Sequence, residues 1–169
     1  MSKITLYNGI KADLLTVNYL KSNGTYEYVK TVALWRNQIE KENVEIPFLY
    51  PAVFIEFLSS NYMESSSKAY QELTLTVRLH ICYESYLTED LDLLNLTQEV
   101  YSKMQLKQYG FFGVMKRRNE EQDFDHNNVQ DFKQDYEVSQ AKDYGADKRP
   151  STLATINSIV IIPDIELTL

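Results

Sequence analysis

The chain has 169 residues with one cysteine, five glycines, four prolines and a formal charge of −7, enough for one domain with its own core and no need of a metal or disulfide staple. The lone cysteine, Cys82, excludes an intramolecular disulfide framework and leaves a shielded thiol in a reducing cytoplasm as the expectation. The opening residues lack the basic and apolar regions of a signal peptide, and no window approaches the roughly 18 apolar residues of a spanning helix, so a soluble protein without a membrane partner is expected.

Ile4, Leu6, Tyr7, Ile10, Leu14 and Leu15 recur at spacings of three and four and predict a short N-terminal helix. Ser22-Asn23-Gly24 is a turn signal, after which Tyr26, Tyr28 and Val32-Ala33-Leu34-Trp35 read as one strand. Asn37 to Glu45 is polar and reads as a loop or a helical turn. Tyr50-Pro51 opens a second strand through Val53 to Leu58, proline being tolerated at a strand's first position. Ser59 to Ser67 has the composition of a mobile hairpin loop.

From Ala69 to Tyr83 apolar and polar residues alternate strictly. Leu73, Leu75, Val77, Leu79, Ile81 and Tyr83 fall on one face, and Thr74, Thr76, Arg78, His80 and Cys82 on the other. A period of two predicts a long antiparallel strand with one face on a core. An amphipathic helix follows over about 89–106, with Thr88 as its N-cap. Leu93, Leu96, Val100 and Met104, flanked by Leu94 and Tyr101, form its packing stripe, and Gly110 is its stop.

Phe111 to Arg118 and Val129 to Val138 read as a strand pair around a turn of Asp and Asn residues from Asp123 to Asn128. Asp143 to Ser151 is a polar loop, and Leu153 to Ile162 a β-rich run closed by Pro163. The fold class is therefore α+β: a mainly antiparallel sheet packed on one amphipathic helix and a short N-terminal helix, with a protruding acidic hairpin. One domain spans 1–169, with an acidic excursion over 119–150 and a C-terminal strand over 153–169.

The charge is concentrated. Nine acidic residues between Glu120 and Asp147 face only Lys133 and Lys142, so the rest of the chain nets to zero. Glu120, Glu121, Asp123, Asp125, Asp131, Asp135, Asp143 and Asp147 are the candidates for an acidic surface that lines a lumen or docks a basic partner. The basic run Lys116, Arg117 and Arg118 is the candidate subunit interface, since in a ring it can face the acidic hairpin of the next copy, head to tail. Thirteen tyrosines fit partner surfaces and amphipathic strands equally well.

Catalytic vocabulary is sparse. Glycine-rich phosphate loops, CxxC pairs, HExxH and GxSxG are absent from the sequence. Asp123, Asp125 and His126 form the one grouping suited to a hard cation, as in a metal-dependent phosphodiesterase or nuclease, but lack the glycine and terminal glutamate of a calcium loop. His80 and Cys82 share a strand face about 7 Å apart, too far for a direct hydrogen bond, which makes His80 a packed or interface residue. No catalytic residue, metal ligand or cofactor is assigned.

The string of elements resembles the bacteriophage tail-terminator and tail-completion family. What carries the resemblance is a short helix, a strand entered through YPAVFIEF, a Ser-rich hairpin, a long strand ending LHICYESY, the helix TEDLDLLNLTQEVYSKM, and an FDHN turn into a terminal strand pair. It spans roughly Leu6 to Val138 and is one of element order. It implies a non-enzymatic virion protein, a homo-oligomeric ring of six or twelve copies at the head-to-tail connector, assembled in the host cytoplasm. Its implied partners are other copies, portal or adaptor, tail and neck proteins, and double-stranded DNA that passes without sequence recognition. The composition is similar to that of crAss-like phages. A monomeric adaptor binding through its tyrosine-rich surface is the reading from a third class.

Overall fold

The computed structural model describes residues 3–39, 48–64, 71–84, 90–110, 112–123 and 129–143. In chain order these form α1 (Lys3–Leu14), β1 (Asn18–Leu20), β2 (Tyr26–Tyr28), β3 (Thr31–Leu34), β4 (Ala52–Glu64), β5 (Gln71–Glu84), α2 (Asp90–Met104), β6 (Met115–Asp123) and β7 (Val129–Asp143). The fold is α+β, as the sequence pattern implies. β1 and β2 form a small antiparallel ribbon, and the other strands a five-stranded sheet in the order β3-β4-β5-β7-β6. Among the described strands only the β3–β4 pair is parallel.

Alternation in β5 is the organising fact. Leu75, Val77, Leu79 and Ile81 are fully buried, with Leu73 and Tyr83 nearly so, and all six belong to one core with residues of both helices. Leu6, Ile10 and Leu14 of α1, spaced by four, present a single stripe to it. From α2 come Leu93, Leu96, Val100 and Met104, whereas Leu94 is exposed and belongs to the outer side, not to the packing stripe. Each such aliphatic side chain contributes about 1.5–3 kcal/mol through removal from water.

Several boundaries differ from the sequence pattern, among them those of the last strand pair, which runs over Met115–Asp123 and Val129–Asp143 rather than 111–118 and 129–138. The stretch from Tyr26 to Trp35 is two strands, because Val29 turns inward, its N–H bonding to Val17 O at 3.2 Å, and sends β2 to β1 but β3 to β4. β4 does not end at Leu58. It continues through Ser59 to Glu64, opposite β5, after a bulge between Phe57 and Ser60. Partner pairing overrides the weak strand preference of serine and asparagine there. α2 stops before Gly110, since Leu106 itself takes a left-handed conformation (φ 62°) and its N–H bonds to Met115 O. The acidic strands are built into the main sheet, β7 lying between β5 and β6. Thr88, the turn at 124–128, the loop after Asp143 and the run 153–162 lie outside the described residues.

Beneath the ribbon sits a closed polar network. Asn23 supports the turn, its Oδ1 accepting from Thr25 N–H, and Gly24 takes the positive φ of 82° that the turn requires. The hydroxyls of Tyr19 and Tyr83 lie 2.7 Å apart and reach Glu27 Oε2 at 2.8 and 3.2 Å. Lys30 and Lys21 add ion pairs at 2.5 and 3.4 Å. Burial alone would raise the Glu27 carboxyl. Hydrogen bonds from Lys30 and Tyr19 and the charges of both lysines outweigh it and hold the group down at about 2, against an ordinary 4.5. Because the folded value is the lower one, the ionised carboxylate stabilises the fold above about pH 4.5, and that share is lost as pH falls toward 2. Glu27→Gln therefore flattens the acid limb of stability across this window, measured by urea denaturation at a series of pH values.

Candidate functional site

The helices cover one face of the sheet, and register determines what the other face carries. Ala52, Phe54 and Glu56 of β4 stand beside Cys82, His80 and Arg78 of β5, which stand beside Asp131, Lys133 and Asp135 of β7. Glu121 and Asp123 of β6 continue the rows opposite Lys133 and Asp131. This open face is a lattice of alternating charges, unlike the apolar face behind it.

At one end the lattice is roofed. Trp35 stacks on the His80 imidazole at a centroid distance of 3.8 Å and an interplanar angle of 4°. Phe48, Tyr50 and Ile39 pack with it over the small cluster of Ala52, Phe54 and Cys82. Beneath the indole, His80 is 3% exposed, its Nδ1 lying 2.8 Å from Asp131 Oδ2 and its Nε2 3.1 Å from Glu56 Oε2. Each ring nitrogen thus faces a carboxylate oxygen, one from β7 and one from β4. Asp131 is fully buried, and its other oxygen is 3.7 Å from Cys82 Sγ. Burial pushes the Cys82 thiol well up, and the Asp131 charge adds to it, so the sulfur stays protonated and inert. The imidazole is closed off by the indole and clamped on both sides. The cluster ties β4, β5 and β7 together under Trp35 and presents no acid, base or nucleophile to a substrate.

Beyond the roof the charges pair within the chain. Arg78 donates two hydrogen bonds to Asp135, at 2.7 and 2.9 Å, which together with its charge neighbours raises its already high pKa. Lys133 Nζ lies 2.6 Å from Asp123 Oδ2, and partial burial, which works against its charge, is outweighed by that bond and by the neighbouring carboxylates. Asp123 is thus engaged by a lysine, while Asp125 and His126, its proposed companions in a cation site, lie outside the described residues. Among the described residues no group of three or more His, Cys, Asp or Glu is arranged to hold a metal ion.

The candidate interface lies on β6. Lys116 is exposed, and Arg118 is exposed and bonds Glu137 at 2.9 Å. Arg117 is half-buried, its guanidinium 3.9 Å from the centroid of Tyr101 and 2.5 Å from Glu120. Glu120 and Glu121 are exposed, Asp135 is held by Arg78, Asp143 ends β7, and Asp147 lies outside the described residues. Sequence spacing gives no access to the His80 clamp, because Glu56 and Asp131 lie 24 and 51 residues from it. The one local signal is the register parity that puts His80 and Cys82 on the polar face.

No helix among the described residues is long and apolar enough to cross a membrane. No family model and no curated protein matches the sequence. Among solved structures, a chain from the virion of a native gene transfer agent particle is similar, with a TM-score of 0.45 and 5% identity over 64% of this chain and 77% of that chain.

Proposed function

We propose that this chain is a structural virion protein of a phage-like particle. Its copies form a ring of six or twelve at the junction of head and tail, joined to portal or adaptor and to tail or neck proteins. The observation that carries the reading is β6, an outer strand of nine residues whose side chains run from bases to acids and whose outer edge, held at Met115 and Arg117 by Leu106, Lys107 and Gln105, pairs with no further named strand among the described residues. Such an edge is a template for another chain, and the basic run Lys116, Arg117 and Arg118 finds its complement in the acidic residues of a neighbouring copy. The order of helix, long strand pair, helix and terminal strand pair supports the resemblance to tail-completion proteins. Exposed carboxylates such as Glu120 and Glu121 suit the wall of a DNA conduit, where cations would retain phosphates with steep salt dependence.

The mass of the purified protein by native mass spectrometry and light scattering, over a range of concentration and salt, tests the reading. A closed ring of six or twelve copies is expected. A strict monomer at every concentration and salt would overturn self-assembly and leave the monomeric adaptor in its place.

A further inference from the structure

The three middle strands of the sheet outrun the two at its sides. β4, β5 and β7 have 13, 14 and 15 residues, whereas β3 has four and lies against β4 only from Ala52 to Ile55. From Glu56 to Glu64 the outer edge of β4 has no partner strand among the described residues. Open edges are commonly guarded by charge. The β6 edge carries such charges and is also held at Met115 and Arg117, but Phe57 to Met63 carries none, and Leu58 is 43% exposed there.

The chain holds a segment of matching character. Residues 153–162 contain no charge, and six of the ten are β-branched. Such a run has a high strand preference and is an aggregation hazard unless it is paired. The place where β7 ends decides which edge the run can reach. Asp143 stands opposite Gln71, and Gln71 opposite Glu64, so β7 leaves the sheet in the row where the open edge of β4 finishes. From β7 to a new strand outside β4 is three strand spacings, about 14 Å, and the residues 144–152 can span about 30 Å.

We propose that 153–162 forms a sixth strand of the sheet, running antiparallel along β4 from Glu64 back to Phe57 within the same chain. Both surfaces are uncharged, so no ion has to leave water when they meet. The far end matches as well. β3 takes over the outer edge of β4 at Ile55, whose carbonyl accepts the Trp35 N–H at 2.9 Å, and the run there gives way to Pro163, which has no N–H to donate. A strand that returns to lie beside the first of three has the spatial order of a Greek key. β7 is the weaker alternative, since past Val138, where β6 begins, it offers only five residues, and Lys142 and Asp143 among them are charged. The short tether gives the run an effective concentration in the millimolar range at its own edge, which favours that edge over the same edge of a second copy. The proposal goes beyond the ring reading and does not depend on it. It removes the edge of β4 from the surfaces by which copies could join.

Hydrogen exchange on the full chain tests it. The outward amides of β4 between 57 and 64 should be protected equally at every protein concentration. Ile159→Pro, which interrupts the run without touching β4, should speed their exchange on the order of tenfold or more. Protection that rises with concentration would assign the edge to a second copy. Unprotected amides, or rates indifferent to Ile159→Pro, would mean that the run does not cover it. Any of these results overturns the proposal.

Paired cysteines give a reading that needs no proline. Asn61→Cys, combined in turn with each substitution from Thr155→Cys to Ile159→Cys, should form an intrachain disulfide most readily at one position, whatever the dilution. With Ser60→Cys in place of Asn61→Cys the best partner should move to a higher number, as antiparallel pairing requires. The native Cys82 is buried and stays out of the exchange. Disulfides that form only between chains, a best partner that moves to a lower number, or no disulfide at any position would overturn the pairing.

Discussion

Asp131→Ala should cost the fold about 3–5 kcal/mol, read as a fall in the urea midpoint at unchanged slope. The carboxylate is fully buried and holds His80 Nδ1 at 2.8 Å beneath the Trp35 indole. Removing it leaves that buried imidazole nitrogen without its carboxylate partner, and among the described residues no other hydrogen bond to Nδ1 is formed. Asp131→Asn should cost less, since its side-chain oxygen still accepts while the charge is lost. The loss should not add to that of a change at His80. With His80→Leu in the background, the donor that Asp131 serves is gone, and deleting the carboxylate then also removes an uncompensated buried charge. A double-mutant cycle in which the two losses simply add would show that the contact carries no coupling energy.

Gly9→Ala should destabilise by about 1–3 kcal/mol although it sits in the middle of α1, where alanine is intrinsically better than glycine by about 0.8–1 kcal/mol. An added Cβ collides with Tyr109 Cδ1 and comes within 3.0 Å of Cε1. The ring cannot simply step aside. Its hydroxyl donates to Asp13 Oδ2 at 2.8 Å, one helical turn along α1, and touches Met104 Sδ at 3.8 Å. The glycine is therefore the seat of an aromatic ring that joins the start of the chain to the segment after α2. In a Tyr109→Ala background the seat is empty, and Gly9→Ala should become stabilising. Thermal unfolding of the two single variants and the double variant reads the change of sign directly.

Periodicity made the core legible. The alternation of β5 placed six residues on the buried face, and the stripe of Leu93, Leu96, Val100 and Met104 located α2 to within a residue or two at each end. Position-specific backbone chemistry was legible where a glycine was present, as at Gly24, and misleading where a non-glycine took a left-handed angle, as at Leu106. Two strand segments were not legible, although the polar pair β6 and β7 was. β1 has three residues, and the second half of β4 reads as loop because its strand character comes from β5 alongside it. The tyrosines divide in the way composition could not resolve. Tyr19, Tyr109 and Tyr136 are core residues whose hydroxyls reach buried or half-buried partners, while Tyr26 and Tyr28 are exposed on the outer side of the ribbon. The His80 clamp was out of reach for the same reason as β4's extension. Its partners come from other strands, and only the register brings them together.

Strand order has a consequence for how the chain is made. β5 puts six residues into the core from one face, and β7, its neighbour on one side, begins 45 residues after β5 ends, with α2 and β6 synthesised in between. During that interval one long flank of β5 has only the growing chain to cover it, and β6 must remain outside while its own successor takes the inner place. Closing the sheet is thus a late, nonlocal event that carries a large loop-closure entropy and slows the final step. An unpaired apolar flank of this kind is the general source of aggregation in folding intermediates, so that window is where the nascent chain is most exposed to its neighbours.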